Sequence, residues 1–530
     1  MVDNEAWYRA RQYSLEKLDL ACKVLNEVRA GKDIFEAIRR NPLADGGYLP
    51  KHILVTAYHN LVERGDLEAD PMLLARIRMK PIRTLSGVTT VTVLTKPYPC
   101  PGKCIFCPDD VRMPKSYVPD EPGARRAVEH DFEPFAQVSS RLDALEAVGH
   151  PTDKIELLIL GGTWTAYRRD YQEWFVRRCF DALNGIDSPT LEEAHKINET
   201  SDHRNVGLVV ETRPDEITFE ELAWLRSLGV TKIQMGVQSM DDAILALNQR
   251  CHDTAQTRRA MQYLRAGGFK TVLHWMPNLL GATLETDQQD FLRLWDDLCP
   301  DEIKIYPNQL LKNTRLYEYW LRGEYHPYST GDLINLIASV KPSIPRYCRV
   351  NRIIRDIPST YVVDGNKRTS LRQDIQQELV KRGEACQCIR CREIRSRKVQ
   401  SKDLELHDLI YRAGKAEEHF LSFDTSEDQL AGFLRLSLPQ KDSPATGMED
   451  LQGAAIIREV HIYGQSLQVG YAQDGAAQHV GLGTQLIQKA EEIAAAKGYH
   501  RLAVISAVGT RRYYAKRGFK PGRLYMTKDI

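Results

Sequence analysis

Three cysteines at C-x3-C-x2-C spacing, Cys100, Cys104 and Cys107, stand in the stretch YPCPGKCIFCP (98–108). Three thiolates on one short loop can each ligate one iron of a cubic 4Fe-4S cluster, leaving a fourth iron without a protein ligand and open to substrate. Zinc, the structural alternative, wants four ligands, and no second cysteine pair or histidine lies nearby. A second set, Cys386, Cys388 and Cys391, is spaced C-x-C-x2-C. It supplies three soft ligands for a zinc ion that would pin a basic loop, with His407, Cys348 and Cys299 as candidates for the fourth ligand. Free cysteines in a linker and a second iron–sulfur cluster stay open as alternatives. Eleven cysteines in a chain of this length do not make a disulfide framework, and the five outside these sets read as buried small apolar residues.

A different chemistry is suggested near the end of the chain. Gln478-His479-Val480-Gly481-Leu482-Gly483-Thr484 runs directly into an amphipathic segment, and backbone amides exposed by glycines at a helix start bind pyrophosphate. Tyr514 stands further on, in TRRYYAKRG, where a tyrosine can simply pack on a sheet.

The elements that must position these groups follow from length and pattern. With 530 residues, 42% hydrophobic and 27% charged, the chain is long enough for several globular domains. No leader-like start and no apolar run of membrane-spanning length is present, so a cytoplasmic protein without a membrane partner is expected. Residues 1–75 carry apolar residues at helical spacing and read as a helical N-terminal region. From 76 to 340, apolar strands alternate with amphipathic helices: 88–95, 154–162, 206–212, 231–239, 270–277 and 302–308. This is the pattern of a parallel (βα) barrel, full or partial, with functional residues expected at the C-terminal ends of its strands. Residues 341–402 hold sixteen Lys and Arg against six Asp and Glu and read as a basic connector with little core. Residues 403–530 begin with a hairpin and mix strands and helices as an α+β domain.

The net charge of +1 conceals this unevenness. Besides the connector, the stretch between Asp70 and Asp109 has six basic residues and no acid. Both segments suit a polyanion, although solvated faces balanced by acids elsewhere would give the same counts.

The cysteine motif after the first barrel strand resembles that of the radical S-adenosylmethionine (SAM) superfamily, and the C-terminal order of loop and elements resembles the GNAT acetyltransferase fold. Together with RTLSGVTTVTVLTKP, VETRPD, MGVQS, REVHIYG and VISAVGTRRYY, the chain from about residue 75 resembles the family of the Elongator catalytic subunit and its bacterial and archaeal relatives. The resemblance implies a 4Fe-4S cluster on Cys100, Cys104 and Cys107. It also implies SAM contacts from Gly161, Gly162, Glu211 and Gln234, although the acid usual after the two glycines is Thr163 here. Acetyl-CoA contacts map to Lys154, Glu459, Val460, His461, Ile462, Gln478, Gly481, Leu482, Gly483 and Thr484. Tyr514, Glu459 and His461 take the catalytic positions. The implied activity is formation of 5-carboxymethyluridine at the tRNA wobble position: a 5′-deoxyadenosyl radical removes hydrogen from the acetyl methyl, and the carbon radical adds to uridine C5. Arg76, Arg78, Lys80 and Arg83, with the connector, are then expected to hold tRNA phosphates. An unidentified electron donor is required, and a homodimer is left open. The competing reading is a protein or histone lysine acetyltransferase with a structural iron–sulfur barrel, and a third is a tRNA-binding module with vestigial sites.

Overall fold

The computed structural model describes residues 13–395, 399–463 and 481–530. Its first sheet is built from β1 (Thr89–Leu94), β2 (Lys154–Leu160), β3 (Arg204–Thr212), β4 (Lys232–Gln238), β5 (Lys270–Trp275), β6 (Glu302–Ile305) and β7 (Arg349–Ile353). All pair in parallel and in chain order, and β1 does not meet β7. The result is a half-barrel with an open seam. The two-residue period of a strand decides what fills it. In β2, Ile155, Leu157 and Ile159 are buried in the hydrophobic core, while Lys154, Glu156 and Leu158 line the lumen.

The N-terminal helices Leu15–Arg29, Ile34–Arg40, Lys51–Glu63 and Pro71–Ile77 have a core of their own around Val24, Leu25, Leu54 and Ile77. Ser14, Asp33 and Asp70 cap three of them by accepting from first-turn amides. Arg76 donates to the carbonyls of Val28 and Lys32, and Arg78 to the Gly149 carbonyl at 2.7 Å and Thr84 Oγ1 at 3.2 Å. These two arginines, expected on phosphate, hold carbonyls of neighbouring segments and so fasten helices.

The segment 341–402 departs from the expected connector. It supplies β7 and the helix Leu371–Lys381, whose Leu371, Ile375 and Leu379 are fully buried. Much of its positive charge is neutralised locally: Arg346 by Asp428, Arg349 by Glu393, Arg352 by Asp356, Arg355 by Glu121 and Arg392 by Asp424. Prolines and scattered arginines hid a strand whose side chains face a polar lumen rather than a second apolar layer.

The second sheet comprises β8 (Leu404–Ala413), β9 (Ala416–Thr425), β10 (Leu430–Pro439), β11 (Ala454–Ile462), β12 (Arg501–Val504), β13 (Lys520–Pro521) and β14 (Met526–Asp529), in the order β13-β14-β12-β11-β10-β9-β8. Only β11 and β12 pair in parallel, and the helix Leu482–Ala496 lies between them in the chain. The edge strand β8 is exposed along most of its length and gave no alternating signal.

This domain closes the N-terminal rim of the half-barrel. Gly268 accommodates Ile456 and Tyr525, the segment before β1 accepts from His461, and Arg226 donates to the Leu524 carbonyl. At the centre, Asp301 just before β6 binds Arg458 of β11 at 2.7 and 2.8 Å and Arg435 of β10 at 3.4 Å, with all three side chains within 1% of full burial. One hydrophobic core runs continuously through both sheets.

Candidate active site

The loop after β1 carries Cys100, Cys104 and Cys107, all half-buried. The Gly102 amide donates to Cys100 Sγ at 3.3 Å, Arg250 Nη1 to Cys104 Sγ at 3.1 Å, and Thr163 Oγ1 lies 3.4 Å from Cys100 Sγ. Arg213 forms a bidentate pair with Asp215, yet its buried Nη1 has no partner among the described residues. Burial and the adjacent Cys104 push the Cys107 thiol up, so a cation is needed to hold three thiolates here. A Cβ on Gly102 would approach the sulfurs of Cys100 and Cys104 within 3.5 and 3.7 Å and Arg213 Nη1 within 2.9 Å. The cradle, the orphaned guanidinium N–H and the soft donors fit an iron–sulfur cluster. The three sulfurs are not gathered as closely as those of Cys386, Cys388 and Cys391, which lie within 4.8 Å of one another and suit a single ion.

Directly after β2 stand Gly161 and Gly162, the second of which lines the thiol pocket. Gly161 has φ +148°, and a Cβ there would stand 1.8 Å from Thr95 Oγ1, so the backbone can pass only without a side chain. Glu211, at the end of β3, accepts from Tyr117 at 3.0 Å and lies 3.6 Å from His274. Burial pushes its carboxyl up against the opposing pull of Lys304. Gln234 is committed to Lys304 and to His274, at 3.2 Å, through one oxygen, and it lines the larger of two cavities rather than the thiol pocket.

Those cavities define the site. The smaller, about 350 Å³, contains the three cysteines, Gly162 and Glu211. The larger, about 1440 Å³, occupies the lumen and the cleft toward the second sheet. Lys154, Glu459, Val460, His461, Ile462, Gly481, Gly483, Thr484 and Tyr514 all face it. Arg83, Thr92, Leu158, Lys304 and Arg352 line both, so the two spaces share walls at the open seam. The expectation that functional residues gather at strand C-termini covers only the thiol end. Lys154 is the first residue of β2, and Glu459 meets Lys270, the first residue of β5, because the second domain docks on the opposite rim.

At that rim the charges are fixed. Glu459 pairs with Lys270 and with Arg435 Nε at 2.9 Å; burial pushes its carboxyl up, but the two cations outweigh it and hold the group ionised. Lys270 also pairs with Glu302, which pairs with Lys232, and Lys232 reaches Glu156, so an ion ladder runs into the lumen. His461 rests against the Ser86 carbonyl (3.1 Å) and the rings of Phe433 and Tyr463; burial lowers its pKa to about 4, leaving it neutral. Burial pushes the Tyr514 phenol well up, so it stays protonated. Gly481 has φ +73° and opens the helix Leu482–Ala496; Leu482 is buried, and Thr484 Oγ1 accepts from Arg517 at 2.8 and 3.2 Å. Gln478 lies outside the described residues. Burial and Asp153 act oppositely on Lys154, with burial dominant and its pKa lowered.

Lys80 is exposed on a left-handed turn, while Arg83 faces both cavities. Around the second cysteine set, Cys348 is adjacent through an Ile389 N–H bond to its carbonyl (2.9 Å), whereas His407 sits exposed beside Glu405 and Cys299 donates to the Trp295 carbonyl. Sequence reasoning missed Arg213 and Arg250. Arg213 lay inside the quoted VETRPD, two residues past Glu211, but nothing in its spacing pointed back to the cysteines.

Comparison with known proteins agrees with this architecture. Residues 98–292 match the radical SAM superfamily, 300–381 the radical SAM C-terminal domain, and 389–519 the GNAT acetyltransferase family. The chain is similar to the tRNA uridine(34) acetyltransferase of Dehalococcoides mccartyi (strain CBDB1), 42% identical over 84% of this chain and 99% of that protein. It is also similar to human Elongator complex protein 3, at 35% over 87% of each chain. The solved structure of archaeal Methanocaldococcus infernus Elp3 lacking residues 1–46 superimposes with TM-score 0.73 and 36% identity, covering 84% of this chain and 99% of that one. The three-thiol half-barrel closed at its other rim by an acetyltransferase sheet thus superimposes on an archaeal relative, and the chain belongs to the family of tRNA uridine(34) acetyltransferases and Elongator complex protein 3.

Proposed function

We propose that the protein modifies the wobble uridine of tRNA, building 5-carboxymethyluridine from the acetyl group of acetyl-CoA with a 5′-deoxyadenosyl radical derived from SAM. One observation carries the reading: the thiol pocket and the cavity faced by the acetyltransferase residues have walls in common. A primary radical cannot be passed through solvent, so the hydrogen donor and SAM must meet in one enclosed space.

Cys100, Cys104 and Cys107 would hold a 4Fe-4S cluster, which when bound supplies the electron that cleaves SAM. The backbone at Gly161 and Gly162 and the carboxyl of Glu211 face the same pocket and would receive the methionine end of SAM. On the opposite rim, the amides from Gly481 to Thr484 would take the CoA pyrophosphate, and Lys154, Val460 and Ile462 would guide the thioester arm into the lumen. Glu459, locked between Lys270 and Arg435, acts as a fixed wall anion that orients its strand. With its Nε2–H given to the Ser86 carbonyl, neutral His461 keeps Nδ1 as an acceptor suited to a hydrolytic water. Tyr514, held protonated by burial, would donate to the departing thiolate. Cys386, Cys388 and Cys391 would bind zinc, pinning the loop that leads into the helix Ile389–Arg392.

The reading makes the protein a cytoplasmic enzyme that draws on a one-electron donor. Incubating the reduced, cluster-loaded protein with SAM, methyl-labelled acetyl-CoA and tRNA should place label on uridine in the digested RNA. Label recovered only as acetyl-lysine would favour the protein acetyltransferase reading instead.

A further inference from the structure

The open seam has two banks, and they differ in how their charge is met. On the β7 bank, Arg352 is paired with Asp356, and Arg355 with Glu121 at 3.0 Å. On the β1 bank stand Arg83, just before β1, Arg126 on the helix Pro122–Glu129, and Arg141 on the helix Pro134–Glu146; both helices pack on β1. All three line the thiol pocket, and Arg83 lines the larger cavity as well. Among the described residues none of the three has a carboxylate in ion-pair range. Arg126 donates to the Pro122 carbonyl at 2.8 Å, and among the described residues the side chains of Arg83 and Arg141 have no hydrogen-bond partner, Arg83 donating only through its backbone N–H to the Lys80 carbonyl. Burial and the like charges of Arg126 and Arg83 draw the Arg141 pKa down to about 10, and burial, with Arg83, lowers that of Arg126 against the opposing pull of Glu129. Three guanidinium groups facing one cavity, mutually repelling and with only Glu129 acting on Arg126 from beyond ion-pair range, form a site whose electrostatics are completed by an anion.

Two polyanions could supply it. The phosphates of CoA have their own candidate anchor in the amides that follow Gly481 and in Arg517 beside Thr484; these line the larger cavity, and none borders the thiol pocket. The β1 bank is therefore free for the other polyanion. We propose that Arg83, Arg126 and Arg141 form a phosphate subsite for RNA, gripping the backbone next to a splayed-out nucleotide so that its base enters where the two cavities meet, against Thr92, Leu158 and Lys304. The planar guanidinium fork matches phosphate oxygens, and single-stranded loops are the RNA elements whose bases can be unstacked in this way. This inference rests on the RNA-modification reading above and assigns within it the residues that hold the substrate.

The test is binding of an anticodon stem–loop RNA to the full chain by fluorescence anisotropy across a salt series, with acetyl-CoA affinity and thermal unfolding measured in parallel. For the R126Q/R141Q double variant, Kd should rise at least tenfold near physiological salt. The slope of log affinity against log salt should fall by about 1.4, the ~0.7 per phosphate typical of single strands. Acetyl-CoA affinity should be unchanged. R141K, which keeps the charge, should retain most of the slope. Wild-type Kd and slope in a folded double variant would overturn the assignment, as would a loss confined to acetyl-CoA, which would hand the site to the coenzyme. Absence of salt-dependent RNA binding by the wild-type protein would instead remove the RNA reading itself.

Discussion

Replacing Asp301 by Asn should uncouple the two domains at a definite cost. The Asp301 carboxylate is fully buried and accepts from Arg458 Nη1 and Nη2 at 2.8 and 2.7 Å, and from the Thr271 amide and hydroxyl at 2.9 and 3.1 Å, with Arg435 3.4 Å away. An amide of the same shape keeps the volume but removes the anion that the two buried guanidinium groups share, leaving Arg458 only Glu418 and Arg435 only Glu459. Breaking a buried pair from one side costs about 3–5 kcal/mol, a large share of the ~5–15 kcal/mol that holds a typical fold. Urea unfolding of the variant should show that loss. The double variant D301N/R458M should be less destabilised than the sum of its singles, because the second change removes much of the stranded charge. A loss below about 1 kcal/mol, the size seen for exposed pairs, would refute the claim that this cluster is dry and locks the acetyltransferase sheet to the barrel. Asp301 is held well below the usual carboxylate range because its arginines outweigh burial. Its contribution should therefore persist above the unfolded carboxylate pKa and disappear only as pH falls toward its folded value, far into acid.

Other consequences are independent of that lock. Gly161→Ala sets a Cβ 1.8 Å from Thr95 Oγ1 at φ +148°, and should lower both stability and iron incorporation, measured by melting and elemental analysis. His461, with its pKa drawn down to about 4 by burial, binds fewer protons folded than unfolded. Stability should thus be full above pH ~6.5 and decline toward pH 4 at up to ~1.4 kcal/mol per unit for this group; His461→Gln should flatten the decline between pH 6.5 and 4. Tyr514→Phe should leave acetyl-CoA binding intact while cutting tRNA-stimulated acetyl-CoA hydrolysis by roughly 10²–10⁴-fold. Cys388→Ser should abolish zinc retention after dialysis against a chelator and leave iron content unchanged.

The half-barrel was legible because six of its strands are apolar runs flanked by helical periodicity, and the cysteine and glycine motifs fall at their ends. β7 was not: in Arg349-Val-Asn-Arg-Ile353 three of the five residues are polar because they line a polar lumen. The edge strand β8 was missed because both its faces meet solvent. Charge counting misled where partners come from distant sequence. Arg346 and Arg392 are neutralised by Asp424 and Asp428, and Arg355 by Glu121. The ladder from Glu459 through Lys270, Glu302 and Lys232 to Glu156 joins residues scattered over more than half the chain, and no local spacing foretells it. Arg126 and Arg141 carried no motif; only the fold, by turning two helices toward the seam, makes them neighbours of Arg83.

The account turns on one shared chamber, in which the acetyl methyl of the coenzyme can reach the 5′-carbon of SAM. Deuterium tracing tests this directly: the reduced protein is supplied with SAM, trideuteroacetyl-CoA and tRNA, and the 5′-deoxyadenosine formed is examined by mass spectrometry. One deuterium should appear in each 5′-deoxyadenosine. Product carrying only solvent or protein hydrogen, under conditions where uridine is still modified, would contradict the account.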